Sequence, residues 1–240
     1  MASSAPQIGF DRFIRLSWAE AALKVRAGST SLDDLNAILD DAGLGTAART
    51  KTRTVLNRLW LQPRPELEQF SARGVEIFKA DPVVPVAALS WGMAIAMYPF
   101  FGKVAELVGR LSALQGDCAS AEVHRRMSEI YGEREGTYRM TNMVLQTQSD
   151  WGAIERVEKG KRLVRRASIP LKDDEAVAWL VEGALRYVGR AVPVTTLQSL
   201  AVLYPFALNQ ALAYVLSRSP ELEMRTEGGG NQFVSLRVTA

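Results

Sequence analysis

Arg134, Thr137, Tyr138, Arg139, Asn142 and Gln146 fall within one short stretch of the chain. These side chains suit nucleic acid. An arginine fork bonds guanine O6 and N7, and Asn or Gln bonds adenine N6 and N7. Arg134 and Thr137, close to the start of the stretch, suit phosphate. The spacing predicts a helix over 134–149. Met140, Met143, Val144 and, beyond them, Trp151 make its apolar face. Tyr138, Arg139, Asn142 and Gln146 lie opposite. A solvated helix face often carries the same residue types. Here a helix precedes the stretch and a basic hairpin follows it, which favours contact with DNA.

That hairpin is the sharpest charge signal. Strand-like residues over 153–158, a Lys159-Gly160-Lys161 turn and a second strand over 162–169 read as strand, turn, strand. Between Glu155 and Lys172 stand seven basic and two acidic side chains, a balance of +5. Lys159, Lys161, Arg162, Arg165 and Arg166 are placed to follow phosphates or enter the minor groove. The bland alternative is an edge strand that carries cations to prevent aggregation.

A second basic run carries Arg49, Lys51, Arg53 and Arg58, with no acid between Ala42 and Pro65. It is either a second DNA surface or a set of partners for Asp33, Asp34, Asp40 and Asp41 on the preceding helix. From Asp173 onward seven acids face five arginines. Asn209, Gln210 and Tyr214 there have few cations around them, so protein contact or dimerisation competes with DNA as that section's role. A single basic face joining Arg53, Arg139 and Arg165 would favour DNA. Scattered cations would favour a protein scaffold.

Catalytic constellations are missing from the sequence. It has no G-x-x-x-x-G-K-[ST] phosphate loop and no G-x-S-x-G elbow. No lysine has an acid two positions before it. Gly228-Gly229-Gly230 lies between strands and reads as a turn. The single Cys118 excludes an intrachain disulfide and multi-cysteine zinc sites, and the single His124 excludes multi-histidine metal centres. The expectation is a protein with no cofactor and no enzymatic activity.

These side chains need helices and hairpins to hold them. The 240 residues are 48% hydrophobic and 23% charged, which is globular composition with a net charge of only +3. The chain divides into a tail over 1–10, a helix-turn-helix-like module over 11–81, a middle winged module over 82–172 and a last winged module over 173–240. Helices are expected over 11–27, from Ser31 with Asp34 in a capping box, from a Thr46 cap to 61, and over 66–79, 86–97, 100–114, 120–131, 173–188, 195–203 and 205–216. A second hairpin is expected over 221–238. The fold class is therefore mainly α, with helix-turn-helix modules of which two are winged. The charge-free stretch from Pro82 to Gly102 is cut by Pro85 and Pro99, so it reads as a buried helix of a cytoplasmic protein with no membrane partner.

The middle and last modules resemble winged helix-turn-helix domains. The whole chain also resembles BrxA-type accessory proteins of bacteriophage exclusion (BREX) systems, on its length, its order of helical modules and the run Arg-Thr-Lys-Thr-Arg-Thr-Val-Leu-Asn-Arg-Leu-Trp over 49–60. The resemblance implies a non-enzymatic protein that binds double-stranded DNA beside other phage-defence components, among them a DNA methyltransferase. It carries over no site residue. A winged-helix protein-interaction scaffold and a transcriptional regulator are the alternatives.

Overall fold

The computed structural model describes residues 9–208 and 210–237. These residues form a predominantly helical fold with three small sheets. The first section holds α1 (Leu16–Arg26), α2 (Leu32–Asp41), α3 (Thr46–Leu56) and α4 (Glu68–Ala80). Ser31 caps α2 in a reciprocal box: its hydroxyl accepts from the Asp34 amide, and the Asp34 carboxylate accepts from the Ser31 amide. Gly45, not Thr46, is the N-cap of α3. The chain from Asp11 to Arg15 is not helical, and α1 begins only at Leu16. The Ile14 amide donates to Thr147 Oγ1 at 3.0 Å and the Leu16 amide to Asp150 Oδ2 at 2.6 Å. Distant residues thus satisfy backbone groups that a longer helix would have used.

Next come α5 (Val86–Met97), α6 (Pro99–Leu111), β1 (Asp117–Ala119), α7 (Ser120–Tyr131), α8 (Glu135–Asp150), β2 (Ile154–Val157) and β3 (Arg162–Arg165). The helix α5 is apolar on every side and almost wholly buried. No helix among the described residues is long and apolar enough to cross a membrane. The first sheet is antiparallel in the order β1-β3-β2, with Cys118 opposite Leu163. The expected second hairpin strand stops at Arg165. Ile169–Leu171 is a separate strand, β4, with a different partner.

The last section holds α9 (Asp174–Val188), β5 (Val192–Pro193), β6 (Phe206–Leu208), α10 (Leu212–Ser217), β7 (Leu222–Glu227) and β8 (Asn231–Leu236). Its antiparallel sheet runs β5-β8-β7, so the first strand again pairs with the last. Two expected helices are corrected here. The 195–203 segment is two 3-10 stretches, Val194–Ser199 and Ala201–Leu203, broken where Leu200 is extended. The 205–216 segment is not one helix. Phe206 and Leu208 are buried while Ala207 is half-buried, a period of two. They pair in parallel with β4, and the Ile169 amide donates to the Pro205 carbonyl at 2.7 Å. Only α10 remains helical. Asn209 lies outside the described residues.

Buried apolar residues from all three sections form one continuous core. All five tryptophans are in it. Three of them also tie sections together through their indole N–H, as buried tryptophans commonly do. Trp151 donates to the Ile14 carbonyl at 3.0 Å, Trp91 to Val202 at 2.9 Å and Trp179 to Phe70 at 2.8 Å. Trp179 also stacks flat on Phe70 at 4.3 Å. Glycine makes the room: a Cβ on Gly74 would stand 2.8 Å from the Trp179 ring, and one on Gly92 would also collide with it.

Candidate nucleic-acid interface

One face of α8 is fixed by burial. Thr137, Met140, Thr141, Val144, Leu145, Thr147 and Gln148 face the core. Thr137 is fully buried, so the expectation that it meets phosphate is corrected. It falls one helical position, about 100°, before the exposed Tyr138 and so turns to the buried side. Arg134, Tyr138 and Arg139 are exposed, and Asn142 and Gln146 are half-buried. Among the described residues neither Arg134 nor Arg139 is in an ion pair within 4.0 Å.

Arg156 on β2 joins this face to the hairpin. Its Nη2 donates to Asn142 Oδ1 at 2.8 Å, and a Cβ on Gly160 would lie 2.8 Å from the same nitrogen. Nearby, His124 on α7 stacks on Tyr138 with centroids 4.0 Å apart. Arg156 Nε and His124 Nδ1 are buried and unpartnered. Burial lowers the Arg156 pKa, and the Tyr138 phenol offsets this in part. Burial, then the Arg156 charge, pushes the His124 pKa down to about 4, so the imidazole is neutral at pH 7. In the sequence Arg156 is one of the hairpin's seven cations and nothing marks it as a contact residue. A basic residue three before the turn was the only sequence signal. One lone pair of Asn142 Oδ1 is already committed to Arg156, which limits its two-point bonding of adenine.

No family model, curated protein or solved structure matches this chain.

At the hairpin tip Glu158, Lys159 and Gly160 all have positive φ, 52°, 57° and 84°. This left-handed run holds the turn and leaves Lys159 and Lys161 exposed. Arg166 is exposed beyond β3. The other two hairpin arginines have different occupations. Arg162 pairs with Asp117 on β1 and lies 3.8 Å from Glu158, so its charge is largely neutralised. Arg165 donates to Ser112 Oγ at 2.7 Å and to the Gly109 carbonyl, with its guanidinium 5.1 Å from the Tyr204 ring. Arg165 is therefore withdrawn from the outer surface. Its guanidinium, held at Ser112 and Gly109, is not offered to a single face through Arg53, Arg139 and Arg165.

The N-terminal cations have local partners. Arg49 pairs with Asp40 at 2.7 Å, Lys51 lies 3.7 Å from Asp11, and Arg53 bonds the Asn36 side-chain oxygen. Arg49 and Lys51 keep side chains 40% and 49% exposed, so phosphate would have to compete with those carboxylates. Arg58 is exposed. In the last section, the exposed face of α10 shows Tyr214 with Arg218 stacked on it at 5.5 Å, and the hairpin tip is three glycines.

Proposed function

We propose that the unit from α6 through β3 is a winged helix-turn-helix that binds duplex DNA, with α8 in the major groove and the β2–β3 tip along the phosphates. One observation carries the reading. Arg134, Arg139, Lys159, Lys161 and Arg166 are all exposed and, among the described residues, make none of the ion pairs that hold most other cations; they stand at the start and first half of α8, at the tip of the hairpin that follows it and just beyond β3. Cations held by carboxylates gain little from phosphate. Unpaired ones release counterions and gain more. The strand order β1-β3-β2, with the hairpin closing against the strand before α7, supports the winged assignment.

The test is an anisotropy titration of random duplex at several salt concentrations. If four of the five cations meet phosphates, log affinity falls against log salt with a slope of about −3.6. A flat salt dependence, or no binding to any duplex, sinks the proposal.

A second reading, a protein-docking surface, is favoured for the last section alone. That section has the same strand order but a surplus of acids and an uncharged tip. The resemblance to BrxA-type proteins extends the DNA-binding reading to an accessory of phage defence. Co-purification with a DNA methyltransferase tests that extension.

A further inference from the structure

We infer that the cleft between α6 and the corner from α9 to β5 binds a small organic anion with a flat apolar body, of the nucleoside monophosphate class. The cleft encloses about 600 Å³. Ligand pockets usually span about 300–1,000 Å³. It has one charged wall and one apolar wall, and each restricts the ligand differently.

The charged wall comes from α6. Lys103, Glu106 and Arg110 stand at i, i+3 and i+7 and so share a face. Glu106 accepts hydrogen bonds from Lys103 Nζ and the Tyr187 hydroxyl and forms an ion pair with Arg110 Nη2, each at 2.6 Å. One carboxylate thus fixes two cations in place and neutralises one charge. Arg190, exposed across the cleft, adds a third cation. Three cations against one carboxylate leave two positive charges in excess, which a phosphate monoester near pH 7 matches. Arg110 and Arg190 both retain donors for its oxygens, since each guanidinium offers five.

The apolar wall comes from the last section. Val188, Leu200 and Val202 line it, with the side of Pro99 opposite. Gly109 lets the chain at Ala201 approach the α6 backbone closely, which brings the last section's wall against α6. Inorganic phosphate would leave this wall uncovered, and a neutral nucleoside would leave the cations unmatched. A planar ring joined to a phosphate satisfies both. The inference does not depend on DNA binding, because none of these residues belongs to the α8–hairpin surface.

Calorimetric titration of the full chain with adenosine and uridine 5′-monophosphates tests it, with adenosine and inorganic phosphate as comparison ligands. Saturable one-to-one binding of at least one monophosphate is expected, with both comparison ligands at least about tenfold weaker, the loss of about one charge-assisted contact. Arg110→Ala and Arg190→Ala each weaken binding about tenfold, while circular dichroism shows the fold retained. A Lys159→Ala/Lys161→Ala variant binds the monophosphate unchanged. Absence of saturable binding by both monophosphates overturns the inference. So does equal binding of adenosine or phosphate, or loss of binding in the Lys159/Lys161 variant, which would place the nucleotide on the basic hairpin.

Discussion

Arg156 holds a half-buried positive charge among a histidine, a phenol and an amide, with no carboxylate among the described residues within 4.0 Å of it. Removing a cation from water without an ionic partner costs free energy, so such a site is a place where an incoming anion gains most. Its neighbour His124 reports on it. With a pKa near 4, against 6.5 for an ordinary histidine, His124 is neutral in the folded chain where the unfolded chain takes up a proton. The unfolded state therefore binds more protons between about pH 6.5 and pH 4. Stability from this group is complete above pH 6.5 and is lost as pH falls through that window, on the order of 2 kcal/mol after allowance for partial solvent screening. His124→Gln should flatten this part of the stability–pH curve in urea denaturation. Arg156→Met should raise the His124 pKa measured by NMR only part-way towards 6.5, because burial is the larger cause. A return to the full ordinary value would show that the charge, not burial, dominates.

At the scale of elements, the tip of the β2–β3 hairpin and its flanks use similar residues for opposite purposes. Lys159 and Lys161 project from a left-handed turn, whereas Arg162 and Arg165 are bound to Asp117, Ser112 and Gly109. Replacing Lys159 and Lys161 together with alanine should reduce the salt slope of duplex binding by about 2 and weaken all sequences alike. Stability should move by less than about 0.5 kcal/mol, since neither side chain is buried. Arg165→Ala should do the reverse, lowering the melting temperature because Ser112 and the Tyr204 ring lose their partner. The distinction was not legible in sequence. Partners 45 and more residues away decide it, and local charge counts treat all seven cations alike. What was legible was local. A Ser31 cap and the prolines at 85 and 99 around 86–97 set helix limits that the structure keeps to within a residue. The strands β1, β5 and β6 were illegible because two or three residues carry no periodic signal, and each exists only through a partner elsewhere in the chain. The exposed face of α8 was readable from spacing, but Thr137 shows the limit. One position of phase, about 100° around a helix, separates a surface contact from a fully buried hydroxyl.

Across the whole molecule, the single core couples a basic surface to an acidic last section that could otherwise act as independent modules. Trp179 is the joint. It leaves α9, stacks on Phe70 of α4 and is received by Gly74 of α4 and Gly92 of α5. One ring thus sits against helices of the first and middle sections at once. An alanine methyl at either glycine meets the ring itself, not the end of a flexible side chain, so the ring or the helix must shift. Overpacking of this kind costs about 1–3 kcal/mol. Gly74→Ala and Gly92→Ala should each destabilise by that amount. The double variant should cost less than the sum, because the first methyl has already displaced the ring the second would meet. A double-mutant cycle in urea measures the coupling, and strict additivity would show that the two glycines answer to separate constraints. In all variants far-ultraviolet circular dichroism and tryptophan fluorescence should report one shared transition. All five tryptophans belong to the same core, so a fluorescence transition separate from the circular dichroism transition would show that the core does not melt as one unit.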